Sequence, residues 1–312
     1  MSKNSQSLIL ALALIAILSV NHVNADTKTN INEATVVSNK KHNKAINIKI
    51  SSLEDLKALF EQHEYTSESW AQGNREVPRL TFDSVSDNWK HSSSNLPVKI
   101  KKEIFFRVMA PLVLMANENI ITERKIIQQA NLDSDALKIL AKKYHVNKAT
   151  DEEMNEEKRT TLLMKVDIMP PSLALAQAAE ESGWGTSRFT SEGNAFFGQW
   201  DFSGRGMIPK QQRKELGNYG LARFVSPLAS VEGYMFNINT TRAYQSLREQ
   251  RAKLRREKKA ITGLELAGAL DKYSERGQAY IDSIRVMIRY NKLQDVDEAY
   301  LSDSKLIHLV RD

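Results

Sequence analysis

A mainly α-helical fold is predicted by three features of the sequence. Apolar residues recur at helical spacing between residues 50 and about 165, and capping side chains stand where those runs begin. A proline-led apolar stretch from residue 170 then closes on two glycines, Gly183 and Gly185. The chain has 312 residues, enough for one large domain or two modest ones with a real core.

The elements follow in order. The short basic stretch MSKNSQ, the apolar run Leu8–Val20 and the small residues Val23 and Ala25 have the layout of a secretory signal peptide, residues 1–25. The apolar run of 13 residues is short for a membrane span, which takes about 20. An uncleaved anchor is the alternative reading. No later stretch reads as apolar for long enough to cross a membrane, so no stable span is expected after cleavage, and a periplasmic or secreted location is. Residues 26–49 are polar and aperiodic and read as a flexible linker. Residues 50–165 read as an N-terminal helical segment. Ser51 and Glu54 fit a capping box, and Leu53, Leu56, Leu59 and Phe60 share one face. A second helix opens near Pro97, and Pro111 inside it predicts a kink or break. The stretches ERKIIQQA and DSDALKILAKKYHV continue the pattern, with Asp133 as N-cap of the latter. The acidic DEEMNEEKR, 151–159, reads as a hydrophilic helix face or a loop.

Composition narrows the chemistry. The hydrophobic fraction of 41% and charged fraction of 26% are those of an ordinary globular chain. With no cysteine there is neither a disulfide framework nor a thiolate nucleophile. The six histidines are scattered, and no pair has the spacing of a zinc site on a helix, so no metal or other cofactor is expected. A net charge of +6 favours anionic partners. The run SLREQRAKLRREKKA, 246–260, holds seven basic residues and no aromatic on which a base could stack. It reads as a solvated, charge-laced helix. Acidic cell-envelope polymers, not nucleic acid, are the expected partners.

The chemistry concentrates at ALAQAAEESGWGTSRF. Leu173 to Ala179 is apolar on every side except Gln177, so this helix should be buried nearly all round. It ends on Glu180 and Glu181. A carboxylate at a helix C-terminus meets the negative end of the macrodipole, and burial disfavours its charge further. Both effects hold a carboxylic acid protonated towards neutral pH, as a general acid must be. On the residues alone, the alternative is that both glutamates point to solvent from the last turn.

That stretch, followed by GNAFFGQW, resembles the bacterial β-N-acetylglucosaminidases of glycoside hydrolase family 73, and the whole-chain layout looks closest to the Bax-like branch. The similarity covers roughly residues 168 to 293 and rests on a Glu-Ser-Gly-Trp-Gly helix end paired with an Asn-x-Phe-Gly loop. The resemblance implies a mainly α (α+β), lysozyme-like catalytic domain at 166–300 with a small β-hairpin lobe, leaving 301–312 as a C-terminal tail. It also implies a monomer acting on peptidoglycan glycan strands. The catalytic acid maps to Glu181, and Asn194, Phe197 and Gly198 match the substrate-cleft loop. Gln199-Trp200 stands where the family often has Ile or Val and then Lys. Trp184 and Trp200 are candidates for packing on sugar rings; for Trp184 and Phe197 core packing is the competing reading. The late segment DKYSERGQAYIDSIRVMIRYNKL implies a site-lining tyrosine at Tyr280, with Tyr273 sharing its face or separated from it by a turn at Gly277.

Glycosidases usually need two carboxyl groups, about 5 to 9.5 Å apart. In the stretch equivalent to the family's hairpin, GMIPKQQRKELGNYGLARF, Glu215 is the only acid. It is the candidate second carboxylate; a plain surface glutamate is the alternative. Glu232 is read as the start of a helix and as structural. The expected activity is an exported endo-β-N-acetylglucosaminidase. A lytic transglycosylase on the same frame, or a wall-binding module without catalysis, are the rivals.

Overall fold

The computed structural model describes residues 45–85, 89–210 and 219–310. The expected signal peptide, most of the expected linker and Glu215 lie outside the described residues. Helices dominate, and the fold is a lysozyme-like α+β arrangement with three small sheets.

The chain opens with strand β1 (Ile46–Lys49) and helices α1 (Leu53–Gln62) and α2 (Ser67–Ala71). Strands β2 (Glu76–Val77) and β3 (Leu80–Phe82) follow. After α3 (Trp89–Ser94), the long α4 (Val98–Gln129) runs through the centre, and α5 (Asp135–Lys143) and α6 (Glu156–Lys165) pack on it. Then come α7 (Pro171–Ser182) and α8 (Arg188–Gly193). A short hairpin joins β4 (Trp200–Asp201) to β5 (Gly220–Leu221) in antiparallel register, Trp200 opposite Leu221. Helices α9 (Pro227–Thr240), α10 (Gln245–Arg256), α11 (Gly263–Ala267) and α12 (Gln278–Tyr290) complete the helical body. A 3-10 turn at Leu293–Glu298 leads to β6 (Tyr300–Leu301) and β7 (Ile307–Val310).

Several expectations are corrected. The tail expected at 301–312 carries β7, which lies between β1 and β3 and pairs parallel with both: Ile307 stands opposite Ile46 and Leu80. The end of the expected linker is therefore strand β1, and the N-terminal segment is not helical throughout. Arg79 fastens this junction, with two short bonds to Glu118 on α4 (2.6 and 2.7 Å) and one to the Ser302 carbonyl (2.9 Å). The capping box sits one residue later than expected, at Ser52 and Asp55, and Ser134 rather than Asp133 caps α5. Helix α4 does not break at Pro111. Proline removes one ladder bond, but Met109 to Ala116 are all buried, and that packing holds the helix on both sides of the defect. The same helix is long and apolar enough to cross a membrane by length and composition, contrary to expectation; most of it is buried inside the protein.

The basic helix α10 is also not simply solvated. Arg251 is fully buried, and its guanidinium takes the carbonyls of Lys165, Asp167 and Ile168 and the side chain of Asn239. Arg255 pairs with the Asp167 carboxylate at 2.8 Å. Arg248, also buried, donates to the carbonyls of Ile238 and Thr241; open carbonyls where α6 and α9 end are why these two cations, Arg248 and Arg251, turn inward.

Candidate functional site

Helix α7 carries the site, and both its ends are fixed. Pro171 occupies its first position. Asp297 then takes the backbone N–H of Ser172 (2.8 Å), the Ser172 hydroxyl (2.7 Å) and the N–H of Gly263 (3.0 Å), so one carboxylate caps two helices. The contact is close: a Cβ on Gly263 would stand 2.1 Å from Ser172 Oγ. Leu173 to Ala179 are all buried against α4, α11, α12 and the 3-10 turn. Burying Leu173 and Leu175 alone contributes roughly 1.5–3 kcal/mol each.

At the other end, Gly183, Trp184 and Gly185 all have positive φ (57°, 62° and 75°). Two glycines accept that conformation freely, whereas the tryptophan costs about 1–3 kcal/mol. Its ring packs edge-on against Phe105 and Phe106 of α4, with Lys102 Nζ 4.8 Å from its centre. Trp184 thus holds the helix end to α4, half-buried against the core.

The two adjacent glutamates part company. Glu180 Oε1 accepts from Arg276 at 2.7 Å and from the Ser283 hydroxyl at 3.3 Å, so its charge is matched. Glu181 is half-buried and accepts a hydrogen bond from the Tyr280 hydroxyl, 3.0 Å to Oε1. Its other oxygen faces Gly198, where a Cβ would sit 3.6 Å from Oε2. Burial drives the Glu181 pKa up from 4.5 to about 7. The Tyr280 bond opposes that rise, the neighbouring Glu180 charge adds to it, and Arg276 opposes it.

The remaining expected residues fall into two groups. Gly198, at φ 59°, and Tyr280 meet Glu181 directly. Phe197 and Tyr273 are buried beneath the site. Phe197 stacks on Tyr234 at 4.0 Å, Tyr273 stacks on Tyr280 at 5.4 Å, and the Tyr273 hydroxyl reaches the Phe197 carbonyl at 3.4 Å. Gly277, at φ 51°, makes the turn that brings Tyr273 back against α12. Asn194 is an anchor rather than a cleft wall: it is buried in the left-handed conformation, and Nδ2 donates to the carbonyls of Asp83 and Phe224. Trp200 belongs to the hairpin lobe, half-buried between Tyr219 (4.4 Å) and the exposed Phe202 (6.3 Å). A small core of Ala195, Met207 and Leu221 supports that lobe. Asp201, the lobe's other acid, accepts the Ser203 N–H at 2.7 Å and so closes a turn.

Glu232 lies inside α9 rather than at its start, and bonds Asn119 of α4 at 3.0 Å, a structural contact. Three residues not singled out from sequence also belong to the site: Gln177, Tyr234 and Arg276. Gln177 was visible as the one polar residue of the apolar run, four positions before Glu181. A separate apolar cavity of about 200 Å³ lies behind Gly185, lined by Phe82, Trp89, Phe105, Phe196 and Leu309 among others. No titratable side chain lines it, so acid–base chemistry points to Glu181.

A carboxyl group whose pKa burial raises, on a lysozyme-like frame beside a hairpin lobe, is an arrangement that glycoside hydrolases use. Residues 158–293 match the glucosaminidase family model, described as mannosyl-glycoprotein endo-beta-N-acetylglucosaminidase. The chain is also 32% identical over 199 residues to Protein bax of Escherichia coli (strain K12), an alignment spanning 62% of this chain and 70% of that one. No solved structure matches. The chain belongs to the glucosaminidase family of glycoside hydrolases, in its Bax-like branch.

Proposed function

We propose that the protein is an exported endo-β-N-acetylglucosaminidase that cleaves the glycosidic bond after N-acetylglucosamine in peptidoglycan, with Glu181 as general acid. The observation that carries this reading is the Glu181 carboxyl group, whose pKa burial raises to about 7 while Tyr280 directs a hydroxyl at it. In the protonated form Glu181 gives its proton to the departing glycosidic oxygen as the C–O bond breaks. The oxocarbenium-like centre is met by water, aided by Glu215 or by the substrate's own acetamide. Gly198 leaves room beside Oε2, and Trp200 with Phe202 offers an aromatic surface on the lobe for a sugar ring. The leader at 1–25 carries the protein to the periplasm or the medium, where it acts as a monomer.

The test is digestion of purified peptidoglycan, with mass analysis of the new chain ends. Reducing N-acetylglucosamine ends from the wild type, and none from Glu181→Gln, are expected. Anhydro-muramyl ends would assign a lytic transglycosylase instead, and no cleavage by the wild type would leave a binding module.

A further inference from the structure

Glu181 sits at the end of a buried chain of side-chain hydrogen bonds whose direction is set when the carboxylate is ionised. Once Glu181 is ionised its carboxylate only accepts, and in that state the Tyr280 hydroxyl donates to Oε1 across 3.0 Å. The Tyr280 oxygen is then free to accept, and Gln177 Nε2 lies 3.1 Å from it. That turns the Gln177 carbonyl towards Tyr234, whose hydroxyl donates to Oε1 at 2.5 Å. Gln177 is fully buried, and Tyr234 and Tyr280 are each 1% exposed, so water does not substitute for a missing link.

We propose that Gln177 and Tyr234 are positioning residues for Glu181. Tyr234 holds the Gln177 amide in one orientation, and that orientation leaves the Tyr280 proton no acceptor but Glu181. Should the amide turn over, its oxygen would take the Tyr280 proton and Glu181 would lose its donor. The relay therefore sets both the rotamer of the carboxyl group and how far burial can lift its affinity for a proton. It rests on the reading of Glu181 as the acid. The other groups that face Glu181 are Glu180 on the same helix, Arg276 ahead of α12, and the hydroxyls of Tyr244 and Tyr273. Arg276 is held by Glu180 and Tyr273 by the Phe197 carbonyl, so neither stands in for Tyr280.

The test is titration of the Glu181 side-chain carboxyl by 13C NMR in the full chain, with Glu181→Gln to assign the signal. Tyr234→Phe, which removes one oxygen and touches no atom of Glu181, is expected to raise the Glu181 pKa by about one pH unit. In a Tyr280→Phe background the same change is expected to do nothing, because the relay is already cut. An unmoved pKa in folded Tyr234→Phe, or an equal rise in both backgrounds, overturns the proposal. In the wild type, nuclear Overhauser contacts from the Gln177 carboxamide protons to the Tyr280 ring support it, and contacts to the Tyr234 ring instead overturn it, whether or not the variant folds. The basic limb of the activity profile decides the underlying reading separately. A limb that stays put while the titration moves means that Glu181 is not the acid.

Discussion

A proton held at Glu181 has a consequence for folding that is measurable without any substrate. The group's pKa is about 7 in the folded protein against an ordinary value of 4.5. Between those two pH values the native state keeps a proton that the unfolded chain releases, so stability present below pH 4.5 is lost as the pH rises towards 7 and beyond. At about 1.36 kcal/mol per pH unit, the loss is about 3 kcal/mol. Glu181→Gln keeps the shape and abolishes the titration. The variant should match the wild type at pH 4 and exceed it by about 3 kcal/mol at pH 8. Urea denaturation of both proteins at both pH values, read by circular dichroism, measures the difference. A gap of the same size at pH 4 and pH 8 would refute the account, since the penalty would then owe nothing to ionisation.

Two further substitutions probe the frame. Gly263→Ala places a Cβ 2.1 Å from Ser172 Oγ and 2.7 Å from the Leu173 backbone nitrogen, against two helices that cannot both give way. It should cost about 3 kcal/mol in thermal unfolding, and an unchanged midpoint would show that the Asp297 junction is looser than its distances imply. Gly198→Ala forces a side chain into φ 59°, and the backbone shift that relieves this strain moves the loop against Glu181 Oε2, so the glycan-cleavage rate should fall about tenfold with KM little changed. A wild-type rate would remove the loop from the site wall.

The site helix was readable because its signals are local. Pro171 and Gly183 mark its ends through their own backbone preferences, and the unbroken apolar run declares its burial. The partition of Glu180 from Glu181 was not readable. It depends on Arg276 and Tyr280, which reach α7 from almost a hundred residues further on. Gln177 announced itself as an oddity in an apolar run, but its role required knowing that two tyrosines would flank it. Arg248 and Arg251 misled for a related reason: a basic run reads as solvated until the open carbonyls of another helix claim some of it. Strands β1 and β7 escaped notice because each is four residues long and neither has meaning without the other.

The position of β7 between β1 and β3 also bears on how the molecule is made. Segments from opposite extremes of the described polypeptide must find one another, so the closing step spans a very large loop and is expected to come late and slowly. Until then the N-terminal strands have no mate, and a partly synthesised chain cannot seal itself. The three-stranded sheet is thus a latch closed from the far side of the described polypeptide, and cutting β7 away should unfasten β1 and β3 together.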